Sequence, residues 1–279
     1  MSKTLPATQR SLTIHEFYRW QRHPFIDLPG DIDLDSLPIK SDREIALRAR
    51  EFIKVARSFT IIGSPGAGKT TLVKAIVKSL EPRTYRPIWI SYAGCNRSGV
   101  LRIIAEKVGL ELNRKGLPPI HKLQRHLATI TKDPGSPRPV IIVDDAQHLE
   151  PEAIMDLCAL LPHPDEDTTL SSLILVGDAN LDHMLRLESR RAISSRMAYT
   201  FRMEPLNQEE TKALMIRRLE MAKASKDIFA EDALELLAAQ SRGNRRELMN
   251  LCVMLCIEAY SREERTISAE LVLTKAPIQ

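Results

Sequence analysis

The stretch Gly63-Ser-Pro-Gly-Ala-Gly-Lys-Thr70 decides the fold of this chain. It fits the spacing G-x-x-x-x-G-K-[ST], in which glycines let successive backbone N–H groups point at one anion. The β-branched run Phe59-Thr-Ile-Ile62 before it predicts a strand, and the residues after it predict a helix over 69–80. A strand, a glycine-rich turn and a helix N-terminus together form a site for the phosphates of a nucleotide.

The side chains of this loop have separate expected roles. Lys69 is expected to reach the β- and γ-phosphates of ATP, and the hydroxyl of Thr70 is expected to bind Mg²⁺. The expected nucleotide-binding residues are Gly63, Ser64, Pro65, Gly66, Ala67, Gly68, Lys69, Thr70 and Thr71.

A second motif is an apolar run that ends in two acids. Pro139-Val-Ile-Ile-Val143 predicts a buried parallel strand, and Asp144 and Asp145 follow it directly. The carboxyl ends of parallel strands meet at one sheet edge, so these acids are expected beside the phosphate-binding loop. Asp144 is expected to hold Mg²⁺ with Thr70, and Asp145 to polarise the attacking water. The alternative is that the two acids only cap a helix.

The order of the remaining elements predicts an α/β fold. Apolar runs at 88–90 and 173–176, and alternating apolar residues over 199–203, predict three more strands separated by helical stretches. Such an order is typical of a parallel sheet with helices on both faces, an αβα sandwich. From Leu206 onward only helical patterns remain, the last with an apolar stripe over 248–259.

Three segments follow from these patterns. We expect an N-terminal arm at 1–40, an αβα nucleotide-binding domain at 41–205 and a small helical lid at 206–279. Capping-box patterns at Ser41 and Asn207 are expected to open the first helix after the arm and the first helix of the lid. The arm is expected either to dock a partner or to pack on the chain's own core, through four aromatic residues: Phe17, Tyr18, Trp20 and Phe25.

Composition excludes several classes of protein. Among the 279 residues, 43% are hydrophobic and 27% charged, which is typical of a globular protein with a sizeable core. No apolar run reaches the roughly 18 residues of a membrane helix, and the first residues lack the apolar segment of a secretory signal. The four cysteines form no C-x-x-C pair. We therefore expect a cytoplasmic protein with no membrane contact.

Basic residues are concentrated in one segment. The whole chain has a formal net charge of +4. Residues 94–132 contain eight lysines and arginines and only two acids, so the net positive charge of this segment alone exceeds that of the whole chain. Such a segment is either a solvated face or a surface for nucleic acid.

The chain resembles the AAA+ P-loop ATPases. Residues 63–70 and 140–145 are similar to their Walker A and Walker B motifs. Four further stretches resemble motifs of a bacterial branch that includes ExeA-type secretion ATPases and the transposition regulators TnsC, TniB and MuB. Asp144-Asp-Ala-Gln-His-Leu149 resembles the D-E-A-Q-x-L motif, and Leu175-Val-Gly-Asp-Ala-Asn-Leu181 resembles sensor 1. Ser195-Arg-Met197 with Met203-Glu-Pro-Leu206 resembles the arginine-finger motif, and Gly243-Asn-Arg-Arg246 resembles the lid motif.

The resemblance implies roles for three more side chains. Asp178 takes the sensor 1 position, Arg196 is the finger that reaches a neighbouring subunit's γ-phosphate, and Arg246 is sensor 2. Alternatives remain for two of them: Asn180 for sensor 1, and Arg190 or Arg191 for the finger. Asp145 stands where the family usually has glutamate, so hydrolysis is expected to be slow.

For the function, the resemblance implies an ATP-dependent, DNA-binding regulator of DNA transposition like TnsC and MuB. Such proteins form rings or helical filaments on duplex DNA with ATP, and act with a transposase and a target-selection protein. In related assemblies the helices after the second strand line the central channel. The residues expected to contact DNA phosphates are therefore Arg97, Arg102, Arg114 and Lys115.

Two alternatives to the transposition role remain. The first is an ExeA-like secretion ATPase, which is disfavoured here because no membrane-helix pattern follows the ATPase motifs. The second is a nucleotide-switched binding module that hydrolyses ATP slowly.

Overall fold

Five parallel strands form one sheet with the spatial order β2-β3-β4-β1-β5. The computed structural model describes residues 12–26, 32–35, 37–91, 96–112, 116–132, 135–162 and 169–275. Within these residues the strands are β1 (Ser58–Gly63), β2 (Tyr85–Ser91), β3 (Arg138–Asp144), β4 (Ser172–Gly177) and β5 (Met197–Met203). The strands predicted from the apolar runs are therefore present, and every one is longer than its predicted core.

Helices cover both faces of the sheet. Those of this unit are α2 (Lys40–Lys54), α3 (Lys69–Lys78), α4 (Arg97–Val108), α5 (Pro119–Lys132), α6 (Pro151–Ala159), α7 (Ala179–Arg186) and α8 (Arg191–Ser194). Along β3, Val140 and Ile142 pack in one apolar cluster with α2 and α3. Ile141 and Val143 pack in the opposite cluster with α4, α5 and α6. This alternation buries both faces, and the predicted αβα sandwich is confirmed.

The remaining helices form a second compact unit. They are α1 (Ile14–Tyr18), from the N-terminal part of the chain, and α9 (Gln208–Met221), α10 (Glu231–Gln240), α11 (Arg245–Ser261) and α12 (Ala269–Lys275). The described residues up to 26 and from 205 onward belong to this helical unit, and those between 30 and 204 belong to the nucleotide-binding unit.

The aromatic residues of the arm lie in the core of the helical unit. Phe17, Tyr18, Trp20 and Phe25 are buried in one cluster with apolar residues of α9, α10, α11 and α12. The hydroxyl of Tyr18 donates to the backbone oxygen of Cys256 at 3.2 Å, and burial raises the pKa of Tyr18. The division therefore differs from the sequence-based segments, because these rings complete an apolar core that the lid helices share.

The two predicted capping boxes have different outcomes. At α9 the box is formed, since the Asn207 side chain accepts from the Glu210 N–H at 2.8 Å and the Glu210 carboxylate accepts from the Asn207 N–H at 3.0 Å. The prediction at Ser41 is wrong. Helix α2 begins at Lys40, with Ile39 at the N-cap position instead of Ser41 and no side-chain cap. Ile39, directly before the first helical residue, is 2% exposed.

Phe25 gives a test of the arm's place in the helical unit. It is 3% exposed and its ring meets that of Phe229 edge-on, with 5.7 Å between centroids. Phe25→Ala is expected to lower the free energy of unfolding by about 3–5 kcal/mol, since it leaves a cavity in the core. Urea unfolding followed by circular dichroism measures this loss. Ile26→Ala is the control, because Ile26 is 46% exposed and its truncation should change stability by less than about 0.5 kcal/mol. Equal stability of the two variants would contradict the packing.

Candidate nucleotide site

The phosphate-binding loop joins β1 to α3 through two glycines in left-handed conformation. Gly66 has φ of 82° and Gly68 has φ of 88°, values that side chains disfavour. Gly68 is also the N-cap of α3, which begins at Lys69. The first N–H groups of α3 have no partner within the helix, so they and the positive end of its dipole are available to an anion.

Lys69 is held inside this loop. The residue is 8% exposed, and its Nζ donates to the backbone oxygens of Gly63 at 2.8 Å and Ser64 at 3.1 Å. An ammonium placed over the loop's own carbonyls can exchange them for the oxygens of a phosphate, which carry more charge. Lys69 thus has the position expected of the phosphate-binding lysine.

Thr70 and Asp144 meet at the carboxyl edge of the sheet. The Thr70 hydroxyl donates to Oδ2 of Asp144 at 2.8 Å, and Oδ1 of Asp144 accepts from the Asp145 N–H at 3.1 Å. A hydroxyl beside a carboxylate is the oxygen donor set that Mg²⁺ takes together with nucleotide phosphates. Across the described residues, no group of three or more His, Cys, Asp or Glu side chains could hold a metal. The residues therefore fit an ion that arrives with a nucleotide.

Asp145 has an unusual backbone conformation. Its φ is 53°, in the left-handed region, where aspartate and asparagine are the most common side chains after glycine. Its Oδ1 accepts from Nε2 of Gln147 at 3.2 Å. The left-handed backbone gives a physical reason for the shorter acid, since glutamate is less well tolerated there.

Asp178 follows β4 at the same edge. Strand register pairs Ile62 with Gly177, so Asp178 comes level with the start of the phosphate-binding loop. Asp178 caps α7 by accepting from the Asn180 N–H at 2.8 Å, and its second oxygen accepts from the Asn180 amide at 3.3 Å. The two sensor 1 candidates are thus bonded to each other beside the loop.

Comparisons with known proteins identify the fold that carries these residues. Residues 53–185, which contain the loop and both acids, match the family model of an AAA domain. The ORC2 protein of Aeropyrum pernix, solved in ADPNP–ADP complexes, superposes with a TM-score of 0.71 at 17% identity, over 91% of this chain and 71% of that one. The fold is that of an AAA+ P-loop NTPase. The ORC1 protein of the same organism, solved in complex with DNA, gives a TM-score of 0.68 at 20% identity, over 91% of this chain and 68% of that one.

A curated relative is named for the general secretion pathway. The general secretion pathway protein A of Aeromonas hydrophila is 27% identical over 208 residues, which is 74% of this chain. The chain spans only 38% of that relative's length. In the part of the chain that the structure describes, no helix is long and apolar enough to cross a membrane.

The arginines that the AAA+ motifs single out lie in different places. Arg190 is paired with Glu152 at 3.3 Å. Arg196 is exposed just before β5, and its guanidinium donates to the Ala192 oxygen at 2.8 Å. Arg246 is exposed at the start of α11 in the helical unit. Arg190 thus has a carboxylate partner, whereas Arg191 and Arg196 are both exposed candidates for the finger.

The expected DNA contacts also differ from one another. Arg97 makes a bidentate pair with Asp156 of α6, at 2.5 and 2.6 Å, and this hydrogen bonding raises the pKa of Arg97. Sequence reasoning missed Asp156, because pairing across helices leaves no signal in local spacing. Arg102 is exposed on α4, beside a cavity of about 470 Å³ that Glu106 also lines. The other two candidates, Arg114 and Lys115, lie outside the described residues.

Proposed function

We propose that this chain binds ATP with Mg²⁺ and hydrolyses it slowly. The observation that carries the proposal is the contact between the Thr70 hydroxyl and Asp144 at 2.8 Å, beside a lysine already enclosed in the phosphate-binding loop. Lys69 and Thr70 begin α3 and Asp144 ends β3, and the fold brings these two distant parts of the sequence together. A purely structural turn has no need for a buried ammonium or for this pairing.

The chain's own residues divide the work of hydrolysis. Bound Mg²⁺ supplies positive charge that stabilises the charge developing on the phosphate oxygens. Lys69 binds those oxygens, Thr70 and Asp144 hold the metal, and Asp145 orients the attacking water through its carboxylate. Asp178 senses the nucleotide at the sheet edge. Arg196 completes the site of a neighbouring subunit, and Arg246 acts from the helical unit.

We further propose that the ATP-bound chain works in the cytoplasm as a homo-oligomer on duplex DNA. In this role it regulates transposition by recruiting or activating a transposase, with a target-selection protein as a further partner. Support comes from the basic segment 94–132 and from the DNA complex of an archaeal protein with the same fold. The Arg97–Asp156 pair shifts the expected contacts towards Arg102, since a guanidinium engaged by a carboxylate is less available to phosphate.

A secretion-associated ATPase is the second candidate function. The specific observation in its favour is the identity to the general secretion pathway protein A of Aeromonas hydrophila, which extends over 74% of this chain. In that role the ATP-driven assembly would act on proteins, and duplex DNA would not be a ligand.

The variant Arg102→Gln tests whether Arg102 lies on a DNA-binding surface or only on a solvated face. The variant is expected to weaken ATP-dependent DNA binding about tenfold and to flatten its salt dependence, since each subunit loses one phosphate contact and its counterion release. An oligomer repeats this loss along the DNA. Anisotropy of labelled duplex DNA is measured over a salt series, with and without a slowly hydrolysed ATP analogue.

Arg83→Gln is the matched control, because Arg83 is exposed in the turn before β2 and the charge change is the same. Equal DNA affinity of the two variants would remove Arg102 from the DNA surface. A parent protein that binds no duplex DNA at low salt with the analogue would contradict the transposition role and favour the secretion-associated one.

A further inference from the structure

Gln147 lies between Asp145 and the end of β4. Its Nε2 donates to Oδ1 of Asp145 at 3.2 Å. A carboxylate can only accept hydrogen bonds, so the nitrogen end of the amide must be the end that faces it. The orientation of the Gln147 side chain is therefore set by Asp145.

The other end of the same amide is enclosed. Oε1 of Gln147 is buried and has no hydrogen-bond partner among the residues that the structure describes. A Cβ on Gly177 would lie 2.8 Å from this oxygen and 2.5 Å from Cδ2 of Leu181, so a side chain there would displace Gln147 and Leu181 from their present places. A buried oxygen without a partner is costly. The Gln147 amide oxygen therefore lacks a hydrogen bond, while the amide nitrogen keeps its bond to Asp145.

Two hydrogen bonds then fix Asp145 from both sides. Its N–H donates to Oδ1 of Asp144, the acid that pairs with Thr70, and its carboxylate accepts from Gln147. The backbone of Asp145 is left-handed, with φ of 53°, so the chain leaves the extended conformation of β3 at this residue. A short, exposed carboxylate on such a backbone has no other described contact that limits its rotation.

We propose that Gln147 is a positioning residue for ATP hydrolysis, because its amide nitrogen fixes one oxygen of the Asp145 carboxylate and leaves the other to orient water. The inference rests on the proposed ATPase function and assigns a part of it to a residue that acts through Asp145. Gly177 contributes as well, since its lack of a side chain leaves space for the Gln147 amide.

Steady-state ATPase kinetics of three variants test this role. Gln147→Glu puts a second carboxylate beside Asp145, and Gln147→Ala removes the donor. Both are expected to lower kcat about tenfold while KM for ATP stays within about twofold, since positioning affects the reacting geometry and not the binding of phosphate. Gln208→Glu makes the same charge change at an exposed position of α9 and should leave both constants unchanged.

A double-mutant cycle separates positioning from a structural effect. In an Asp145→Asn background, Gln147→Glu is expected to cause no further loss in single-turnover rate, because the carboxylate that it positions is gone. Additive losses would show that Gln147 acts elsewhere and would overturn the inference.

A spectroscopic readout reports the contact without any turnover. In protein labelled with [¹⁵N]glutamine, the side-chain signal that disappears in Gln147→Glu belongs to Gln147. Asp145→Gly removes the carboxylate and suits the positive φ, so it should shift that signal and speed its exchange with water. An unchanged signal would overturn the contact.

The outcomes for the two proposals differ. Turnover that depends on Asp145 but not on Gln147 would overturn the inference alone. A parent protein without any ATP hydrolysis would overturn the proposed function and, with it, the role assigned to Gln147.

Discussion

Replacement of Lys69 by alanine is expected to lower ATP affinity by about a hundredfold and to abolish ATP-dependent assembly. The ammonium is enclosed by the loop, with bonds to the Gly63 and Ser64 oxygens, so the variant loses charge-assisted bonds to phosphate worth up to about 3 kcal/mol. Isothermal titration with a slowly hydrolysed ATP analogue measures the affinity, and light scattering follows the assembly.

The control for this variant lies on the same helix. Lys74 is exposed on α3, and Lys74→Ala removes the same charge outside the loop. It should bind nucleotide like the parent protein. Lys69→Ala should still unfold cooperatively, because its short side chain leaves α3 and the sheet intact. Unchanged affinity in a folded Lys69→Ala protein would show that the nucleotide binds elsewhere.

Asp145→Asn is expected to reduce ATP turnover about a hundredfold or more and to leave ATP binding intact. The carboxylate is the group assigned to the water, and removal of such a group costs about 10²–10⁴ in rate. Asparagine suits the left-handed φ of 53° as well as aspartate does, so the loop after β3 should keep its shape. The ATP-bound assembly should therefore be trapped.

Phosphate release measures turnover, and the titration used for Lys69 measures binding. Asp35→Asn is the control, since Asp35 is exposed and far along the chain from the motifs. Turnover of Asp145→Asn at the parental rate would show that another group orients the attacking water. Weakened ATP binding with unchanged kcat would show that Asp145 binds the nucleotide instead.

Much of the nucleotide-binding unit could be predicted from local pattern. Buried parallel strands are apolar on both faces, so runs such as 139–143 are visible in a single sequence. Fixed glycine spacing in the loop and acids directly after a strand also specify geometry within a few residues, and the structure brings Thr70 and Asp144 together as expected.

Contacts between distant parts of the chain were not predictable in this way. The Ser41 capping box is absent, since α2 already begins at Lys40 after the buried Ile39, and local spacing gave no sign of that burial. The pair of Arg97 with Asp156 joins two helices that are 59 residues apart in sequence. Periodicity reports which face of an element is apolar, but it does not report which other element covers that face.

The aromatic segment at residues 12–26 has a consequence for synthesis on the ribosome. Tyr18 bonds to a residue 238 positions later in the chain, whereas the nucleotide-binding unit between 30 and 204 is continuous. At a translation rate of about 5–20 residues per second, roughly 10 to 50 s pass between the synthesis of this segment and that of the helices that cover its rings. During that interval Phe17, Trp20 and Phe25 lack the apolar residues of α9 to α12 that cover them in the folded chain, and such exposed surface favours aggregation of a nascent chain.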